Sequence, residues 1–276
     1  MKRKAIPFSK FNGSGNDFLL IDNRGGVMDG VDRPAFVAEV CDRARSVGAD
    51  GLILIEESKK ADFRWDFYNA DGSRAEMCGN GGRCAARFAF SRKIAGAQMS
   101  FETLAGIIHA SVSGRCVKLQ MTRPKESAFD RSLTLAGKKY VYSFVNTGVP
   151  HAVLFVPDVT KADVATIGRG IRGHKVFAPK GTNVNFAQLR DGMLWVRTYE
   201  RGVERETLAC GTGAVASALM AVAKGITAPP VIVMTSGGEI LKVHFDSTAK
   251  DFGRVFLEGD TSWVFDGKLF EEAYSY

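Results

Sequence analysis

The chain of 276 residues lacks the apolar run that a membrane helix requires, since no stretch approaches about 20 consecutive apolar residues. It also lacks a secretory signal, because Pro7, Ser9, Lys10 and Asn12 interrupt any apolar core near the basic N-terminus. Apart from residues 1–4 there is no basic run, and the net charge of +7 is scattered along the chain. These absences predict a cytoplasmic protein with neither a membrane nor a nucleic acid as partner.

Motifs for metal sites and disulfides are also missing. The cysteines are odd in number, five, and have no CxxC spacing, and the four histidines form neither HxxxH nor HExxH. The cysteines are Cys41, Cys78, Cys84, Cys116 and Cys210. This usage predicts reduced thiols and no metal.

Two of these cysteines occur in near-identical settings. Residues 77–81 read Met-Cys-Gly-Asn-Gly and residues 209–213 read Ala-Cys-Gly-Thr-Gly. Cys78 and Cys210 are 210 − 78 = 132 residues apart, close to half the chain. The pattern indicates a duplication with one thiol in each half, and therefore two domains.

A stretch of small and apolar residues follows each Cys-Gly-x-Gly, at 84–90 and at 214–223, and both stretches predict helices. The two thiols then lie at helix N-termini, where the dipole and the unbonded N–H groups favour a thiolate and bind anions. Residues 213–223 carry no charge, so the second helix should be buried on every side within a curved sheet. The first helix should be less enclosed, because it keeps Arg83 and two further arginines.

Short apolar runs between glycines predict that strands dominate the rest of the chain. They lie at 18–21, 51–55, 63–68, 106–110, 117–121, 153–156, 184–187, 193–197, 231–234 and 240–243. Gly96 and Gly225 are the predicted helix stops. Because Pro124 interrupts the strand pattern at 122–127, the predicted domains are 1–124 and 125–276, with the last strand able to return to the first. The fold class is α/β, of the mixed α+β kind.

Paired thiols suit one kind of chemistry. Inversion of a stereocentre next to a carboxylate removes a proton from one face and delivers one to the other, and two opposed groups achieve this without moving. A cysteine has a reference pKa of about 8.5, near neutrality. The glycine-rich turns let backbone N–H groups approach the carboxylate and stabilise the enediolate that forms. Such a reaction needs no pyridoxal phosphate, metal or nucleotide.

Five segments together resemble the diaminopimelate epimerase family. They are Asn12–Phe18 (NGSGNDF), Asn69–Ser73 (NADGS), Met77–Cys84 (MCGNGGRC), Gly181–Phe186 (GTNVNF) and Glu200–Gly213, which begins ERG and ends TLACGTG. The resemblance spans most of the chain in order. It implies a cofactor-free isomerase of lysine biosynthesis, commonly a homodimer, built from two pseudo-symmetric domains that each curl a sheet around a central helix, with the active site in the cleft between them.

The resemblance also implies roles for single residues. Cys78 and Cys210 would exchange the proton with the substrate, and His151 and Glu200 would tune them. The groups that hold the reacting carboxylate would be Gly79, Asn80, Gly211 and Thr212. The groups that hold the rest of diaminopimelate would be Asn16, Asn69, Asn183, Glu200 and Arg201. Two positions depart from members that carry Gln and Asn there, namely Gly51 and Val149.

Other functions compete with this interpretation. A cofactor-free racemase of a smaller amino acid, such as proline or hydroxyproline, shares paired cysteines, but those enzymes resemble Cys-Gly-His-Gly where this chain has Asn80. A silent ligand-binding protein or a phenazine-type isomerase would have lost its thiols, and both are present here. Cys78 and Cys84 as a redox pair is a further alternative, although their spacing is not CxxC.

Overall fold

The computed structural model describes residues 5–246 and 252–275, and these residues form two compact units. One unit contains the described residues up to 119 together with those from 259, and the other contains those from 120 to 258. The division lies 124 − 119 = 5 residues before the predicted boundary, and the final strand belongs to the first unit. Within the described ranges, no helix has both the length and the hydropathy needed to cross a membrane.

The first unit contains α1 (Arg33–Val40), α2 (Gly79–Ser91) and a sheet. Its strands are β1 (Ile6–Gly13), β2 (Asn16–Asp22), β3 (Gly51–Glu56), β4 (Phe63–Asn69), β5 (Gln98–Thr103), β6 (Gly106–Ser113), β7 (Cys116–Gln120) and β17 (Ser262–Leu269). The order across the sheet is β17-β1-β2-β3-β4-β5-β6-β7. The pairs β2–β3 and β4–β5 are parallel, and the other pairs are antiparallel.

The second unit contains α3 (Val164–Arg172), α4 (Gly211–Ala223) and a sheet of the same design. Its strands are β8 (Lys125–Leu135), β9 (Lys138–Asn146), β10 (Pro150–Phe155), β11 (Asn183–Arg190), β12 (Met193–Glu200), β13 (Arg205–Thr207), β14 (Val231–Thr235), β15 (Ile240–Phe245) and β16 (Val255–Asp260). The order is β8-β9-β10-β11-β12-β14-β15-β16, and β13 pairs with the end of β12. Among these described pairs, only β10–β11 and β12–β14 are parallel. They occupy the same places in the strand order as the parallel pairs β2–β3 and β4–β5 of the first unit, which confirms the predicted repeat.

Each sheet curls around the helix that follows a Cys-Gly-x-Gly motif. Helix α4 contacts β9, β10, β11, β12, β14 and β15, and its residues from Gly213 to Ala221 are all buried, as predicted for an uncharged helix. Helix α2 contacts β1, β2, β3 and β6. As predicted, α2 is less enclosed than α4, since Arg87 is half-buried and Phe90 is exposed. Arg83 is the exception: its side chain is fully buried, and neighbouring oxygens accept its N–H groups.

The opposite face of each sheet is covered by the shorter helix, α1 or α3. In β11 the side chains of Val184 and Phe186 join the apolar cluster around α3. Alternation along the strand turns Asn183 and Asn185 to the other face, where α4 lies. The same period of two selects which polar side chains can reach the start of α4.

Several boundaries differ from the sequence-based predictions. Helix α4 stops at Gly225, whose φ of 69° is left-handed as predicted, but α2 already ends at Ser91. Lys93 takes the left-handed conformation there, with φ of 58°, so the predicted stop at Gly96 is wrong. The segment predicted as a linker enters β8 at Lys125, where Glu126 with φ of 54° marks an irregular register with β9.

Candidate active site

The first thiol caps the N-terminus of α2. Cys78 has extended backbone angles, φ −142° and ψ 122°, and its Sγ accepts the N–H of Gly81 at 3.4 Å. A side chain at Gly81 would lie 3.3 Å from the Ile53 side chain, and one at Gly82 would lie 2.8 Å from that of Leu119. The glycines therefore let the first turn of α2 settle directly on the sheet, with its unbonded N–H groups near the thiol.

The predicted residues Asn16 and Asn80 are brought together beside this turn. Asn80 is buried, and its Nδ2 donates to Asn16 Oδ1 at 2.7 Å. Asn69 is exposed at the end of β4, where its Nδ2 donates to Ser73 Oγ at 3.0 Å. Gly79 is the first residue of α2 and is buried. Two predicted amides thus flank the helix start, while the third faces solvent.

The second thiol stands at the same place in the second unit. Cys210 precedes α4 with φ −123° and ψ 107°, is buried, and has its Sγ 3.5 Å from Thr212 Oγ1. Gly211 opens the helix, and Thr147 Oγ1 donates to the carbonyl of Thr212 at 3.3 Å. The predicted set Cys210, Gly211 and Thr212 therefore forms one helix N-terminus.

A buried polar network lies under the first turn of α4. A Cβ at Gly213 would stand 2.4 Å from Asn185 Oδ1 and 3.0 Å from Thr198 Oγ1, so only glycine fits without displacing them. Asn185 Nδ2 donates to His151 Nδ1 at 3.0 Å and to the carbonyl of Ala152 at 3.2 Å, and Thr198 donates to Asn185 Oδ1 at 2.9 Å. Because the carbonyl can only accept, the Asn185 amide is fixed with its N–H₂ group toward the His151 ring.

His151 is neutral in the folded protein. Its ring is fully buried, and this burial lowers the pKa of the imidazole to about 3, although the hydrogen bond from Asn185 works in the other direction. The described contacts of the ring are with amide groups, and it reaches the start of α4 through Asn185. His151 is thus placed to support the helix start.

Glu200 and Arg201 follow one another where β12 ends. Burial raises the pKa of Glu200 above its usual value, against the opposing effect of a hydrogen bond of 3.0 Å from Thr207 Oγ1. The backbone N–H of Arg201 donates to Asn183 Oδ1 at 2.8 Å, and its Nη1 donates to the carbonyl of Lys180 at 3.0 Å. Three predicted residues, Asn183, Glu200 and Arg201, therefore lie together where β11 begins and its neighbour β12 ends, in the middle of the second sheet.

Cys41 and Gly51 have structural explanations. Burial raises the pKa of the Cys41 thiol to about 12, as suits a core residue. Gly51 begins β3, and a Cβ there would lie 2.6 Å from the carbonyl of Tyr68, so this backbone position leaves no room for a side chain. Val149 precedes β10, and its carbonyl accepts the N–H of Thr147 at 3.1 Å.

Sequence reasoning missed several polar residues of the site. Asn185 and Thr198 could have been found from strand periodicity, because they lie two residues from Asn183 and Glu200 on the same faces. For Arg83, the one available signal was its position three residues after Asn80, a spacing that places the two side chains next to each other on a helix. Within residues 5–246 and 252–275, no group of three or more His, Cys, Asp or Glu side chains could hold a metal ion.

Solved structures of other proteins share this fold. The hydroxyproline epimerase from Agrobacterium vitis aligns with a TM-score of 0.72 at 15% identity, over 99% of this chain and 94% of that one. The Bacillus anthracis phenazine biosynthesis protein of the PhzF family aligns with a TM-score of 0.69 at 15% identity, over 97% of this chain and 99% of that one. The chain thus has the repeated two-unit α/β fold of these proteins.

Sequence similarity is more specific than the fold. The sequence model of the diaminopimelate epimerase family matches residues 8–126 and 143–264. The diaminopimelate epimerase of Aquifex aeolicus (strain VF5) is 50% identical over 98% of this chain and 100% of its own length, and that of Hydrogenobaculum sp. (strain Y04AAS1) is 46% identical over 96% and 99%. The chain belongs to the diaminopimelate epimerase family, and it is an isomerase.

We predict that His151 makes the protein less stable as the pH falls from 7 to 5. The unfolded imidazole, with a pKa of about 6.5, takes up a proton in this range, whereas the folded ring, with a pKa of about 3, does not. The unfolded state then binds more protons, so stability is lost below pH 6.5, by about 2 kcal/mol at pH 5. Urea unfolding at both pH values should show a smaller pH effect in His151→Gln than in the parent.

The matched control is His109→Gln, which changes an exposed histidine of β6. This variant should keep the pH dependence of the parent protein. An unchanged difference between pH 7 and pH 5 in His151→Gln would contradict the assignment of a neutral buried ring.

Proposed function

We propose that this isomerase interconverts LL- and meso-diaminopimelate in lysine biosynthesis. The observation that carries the proposal is the repeated helix start, with Cys78 before α2 and Cys210 before α4, in a member of the diaminopimelate epimerase family. Two residues of the same kind in equivalent settings suit a reversible exchange of one proton, in which each group serves once as base and once as acid.

In the proposed reaction, one cysteine acts as thiolate and abstracts the α-proton, and the other delivers a proton as thiol. The negative charge then spreads onto the α-carboxylate, which becomes an enediolate. The N–H groups of Gly79, Asn80, Gly211 and Thr212 hold this carboxylate and interact more strongly as its charge grows. The helix N-termini favour the thiolate form. No cofactor or metal takes part in this scheme.

The remaining predicted residues hold the part of the substrate that does not react. Arg201 offers a planar guanidinium to the distal carboxylate, and among the described residues no carboxylate is paired with it. Asn69, Asn183 and Glu200 contribute polar groups for the distal amino acid moiety, and Asn16 lies next to Asn80. His151 acts as a positioning residue under α4 through Asn185.

An epimerase or racemase of a smaller amino acid is the competing proposal. The hydroxyproline epimerase of A. vitis supports it through the shared fold alone. A substrate with a single carboxylate leaves Arg201 without a charged ligand, whereas diaminopimelate supplies one. Turnover of diaminopimelate, proline and hydroxyproline by the same preparation separates the two proposals.

We predict that the purified protein interconverts LL- and meso-diaminopimelate without added cofactor, and that solvent deuterium enters the reacting α-carbon. Cys78→Ala and Cys210→Ala should each lose activity by about a hundredfold or more, because each removes one partner of the proton exchange. Proton NMR in deuterated water follows both the exchange and the epimerisation.

The control for these variants is Cys116→Ala, which removes a half-buried thiol from β7 and should leave turnover unchanged. If either Cys78→Ala or Cys210→Ala kept the parental rate, the two-thiol mechanism would have to be abandoned.

We predict that Arg201→Lys lowers kcat/KM for diaminopimelate by about two orders of magnitude while the protein stays folded. Lysine keeps the charge but cannot form two parallel hydrogen bonds to a carboxylate, and loss of one partner of a buried charge pair costs about 2–5 kcal/mol. Poorer placement of the reacting carbon should reduce kcat as well as raise KM. Steady-state kinetics and circular dichroism provide both measurements, with exposed Arg190→Lys as the matched control.

We also propose a cytoplasmic homodimer. Strand β17 supports it, since Trp263, Val264 and Phe265 are all exposed and, among the described strands, β17 pairs only with β1. Exposed apolar side chains clustered on one strand are typical of subunit interfaces.

Light scattering coupled to gel filtration should therefore give twice the chain mass of 29.9 kDa for the parent protein. Val264→Asp should dissociate it, because the substitution places a charge in the apolar contact. Ile107→Asp, at an exposed apolar residue of β6, should remain dimeric. A monomeric parent, or a dimeric Val264→Asp, would refute the proposed interface.

A further inference from the structure

A fully buried arginine lies at the start of the second turn of α2 and takes no part in the proton exchange described above. Arg83 Nη2 donates to Ser14 Oγ at 2.6 Å and to Asn80 Oδ1 at 3.0 Å, and Nη1 is 3.4 Å from the carbonyl of Gly79. Burial of a guanidinium is costly unless its N–H groups are satisfied, so the oxygens that accept from it are held firmly in place.

The loop between β1 and β2 is shaped to reach this guanidinium. Ser14 has a left-handed φ of 54° and is buried, which turns its hydroxyl toward Arg83. A Cβ at Gly13 would lie 3.0 Å from the backbone oxygen of Asn80, so the loop rests directly on the helix turn. Arg83 therefore connects the loop and the helix at the level of Asn80.

The hydrogen bonds continue from Asn80 to a carboxylate. Asn80 Nδ2 donates to Asn16 Oδ1 at 2.7 Å, and Asn16 Nδ2 donates to Asp50 Oδ2 at 3.0 Å. The same Asp50 oxygen accepts the N–H of Asp17 at 3.2 Å, and Asp50 Oδ1 accepts from Arg43 at 2.9 Å. Two amides are thus linked in series between Arg83 and Asp50.

The groups at the two ends determine the direction of every hydrogen bond in this series. A guanidinium can only donate and an ionised carboxylate can only accept, whereas an asparagine amide can be turned either way. Arg83 fixes Oδ1 of Asn80, and Asp50 fixes Nδ2 of Asn16. Each amide donates one N–H within this series of hydrogen bonds. For its second N–H, the described residues provide no acceptor.

We propose that Arg83 and Asp50 are positioning residues that orient Asn80 and Asn16 so that both amides offer N–H groups, and no carbonyl oxygen, to the carboxylates of the substrate. The proposal rests on the function proposed above. A reversed Asn80 amide would present its oxygen to the reacting carboxylate, whose negative charge grows during the reaction, and would repel it. The residues that touch the substrate are the two asparagines, and the charged residues act through them.

Asp50→Asn tests the acceptor end. It keeps the shape of the side chain, but an amide at position 50 can donate as well as accept, so Asn16 loses the acceptor that fixes its direction, whereas Asn80 is still held by Arg83. Because Asp50 is exposed, the fold should not depend on it. We expect kcat/KM for diaminopimelate to fall roughly tenfold to a hundredfold, with kcat reduced, at an unchanged melting temperature. Asp62→Asn, which likewise replaces a carboxylate that accepts a backbone N–H by an amide, should retain parental kinetics.

The donor end is tested by comparing Arg83→Lys with Arg83→Gln. Lysine remains a pure donor and should keep much more activity than glutamine, which can present either an oxygen or an N–H to Asn80. Greater activity of the lysine variant at equal stability would not be expected if Arg83 only filled space. Arg87→Gln, one turn further along α2 and bonded to Thr261, is the matched control.

NMR of the side-chain amides provides a measurement that needs no turnover. The Asn16 and Asn80 amides should each give one set of signals in the unliganded parent, and the Asn16 signals should shift or double in Asp50→Asn. If the parent did not epimerise diaminopimelate, the proposed function would fail while this measurement could still be made. If the parent were active, and Asp50→Asn matched it in both kinetics and amide signals, the orienting role would be overturned.

Discussion

The close approach of a helix start to a sheet is the constraint on which the candidate site depends. Glycine at positions 81, 82 and 213 removes the side chains that would hold α2 and α4 away from the strands beneath them. The unbonded N–H groups of each first turn can then lie near a thiol and a fixed set of polar side chains. Any larger residue would have to displace Asn185 or Leu119, so the chemistry of the thiols is tied to backbone packing.

The two units use one scaffold for different purposes. In the first unit Gly51 of β3 pairs with Asn69 of β4. The equivalent strands of the second unit are β11 and β12, in which Val184 pairs with Tyr199. One residue further along, Asn183 lies opposite Glu200 at the place that corresponds to Gly51 and Asn69. The first unit thus has a closed, apolar position where the second has an amide. Its polar groups come from the β1–β2 loop and from α2. Duplication kept the ladder of strands and the helix start, while the side chains around them diverged.

Much of this arrangement could be predicted from sequence. The repeated motif and the strand pattern located both central helices, the duplication and the two thiols, because those features depend on local composition and on periods of two and 3.6. The burial of Arg83, the neutral state of His151 and the role of Asn185 could not be predicted in this way. Each depends on partners far away in sequence, such as Ser14 for Arg83, and on burial that only the folded sheet creates.

The return of β17 to the first unit has a consequence for the order of assembly. Ser9 of β1 bonds to Asp266 of β17, 257 residues away, whereas the second unit is one continuous segment. On the ribosome, residues 120–258 are complete before the segment that closes the first sheet has been made. The edge of β1 must therefore stay open throughout synthesis of the second unit, and contacts this distant in sequence form slowly. The first unit, whose synthesis begins first, is therefore the last to complete its sheet.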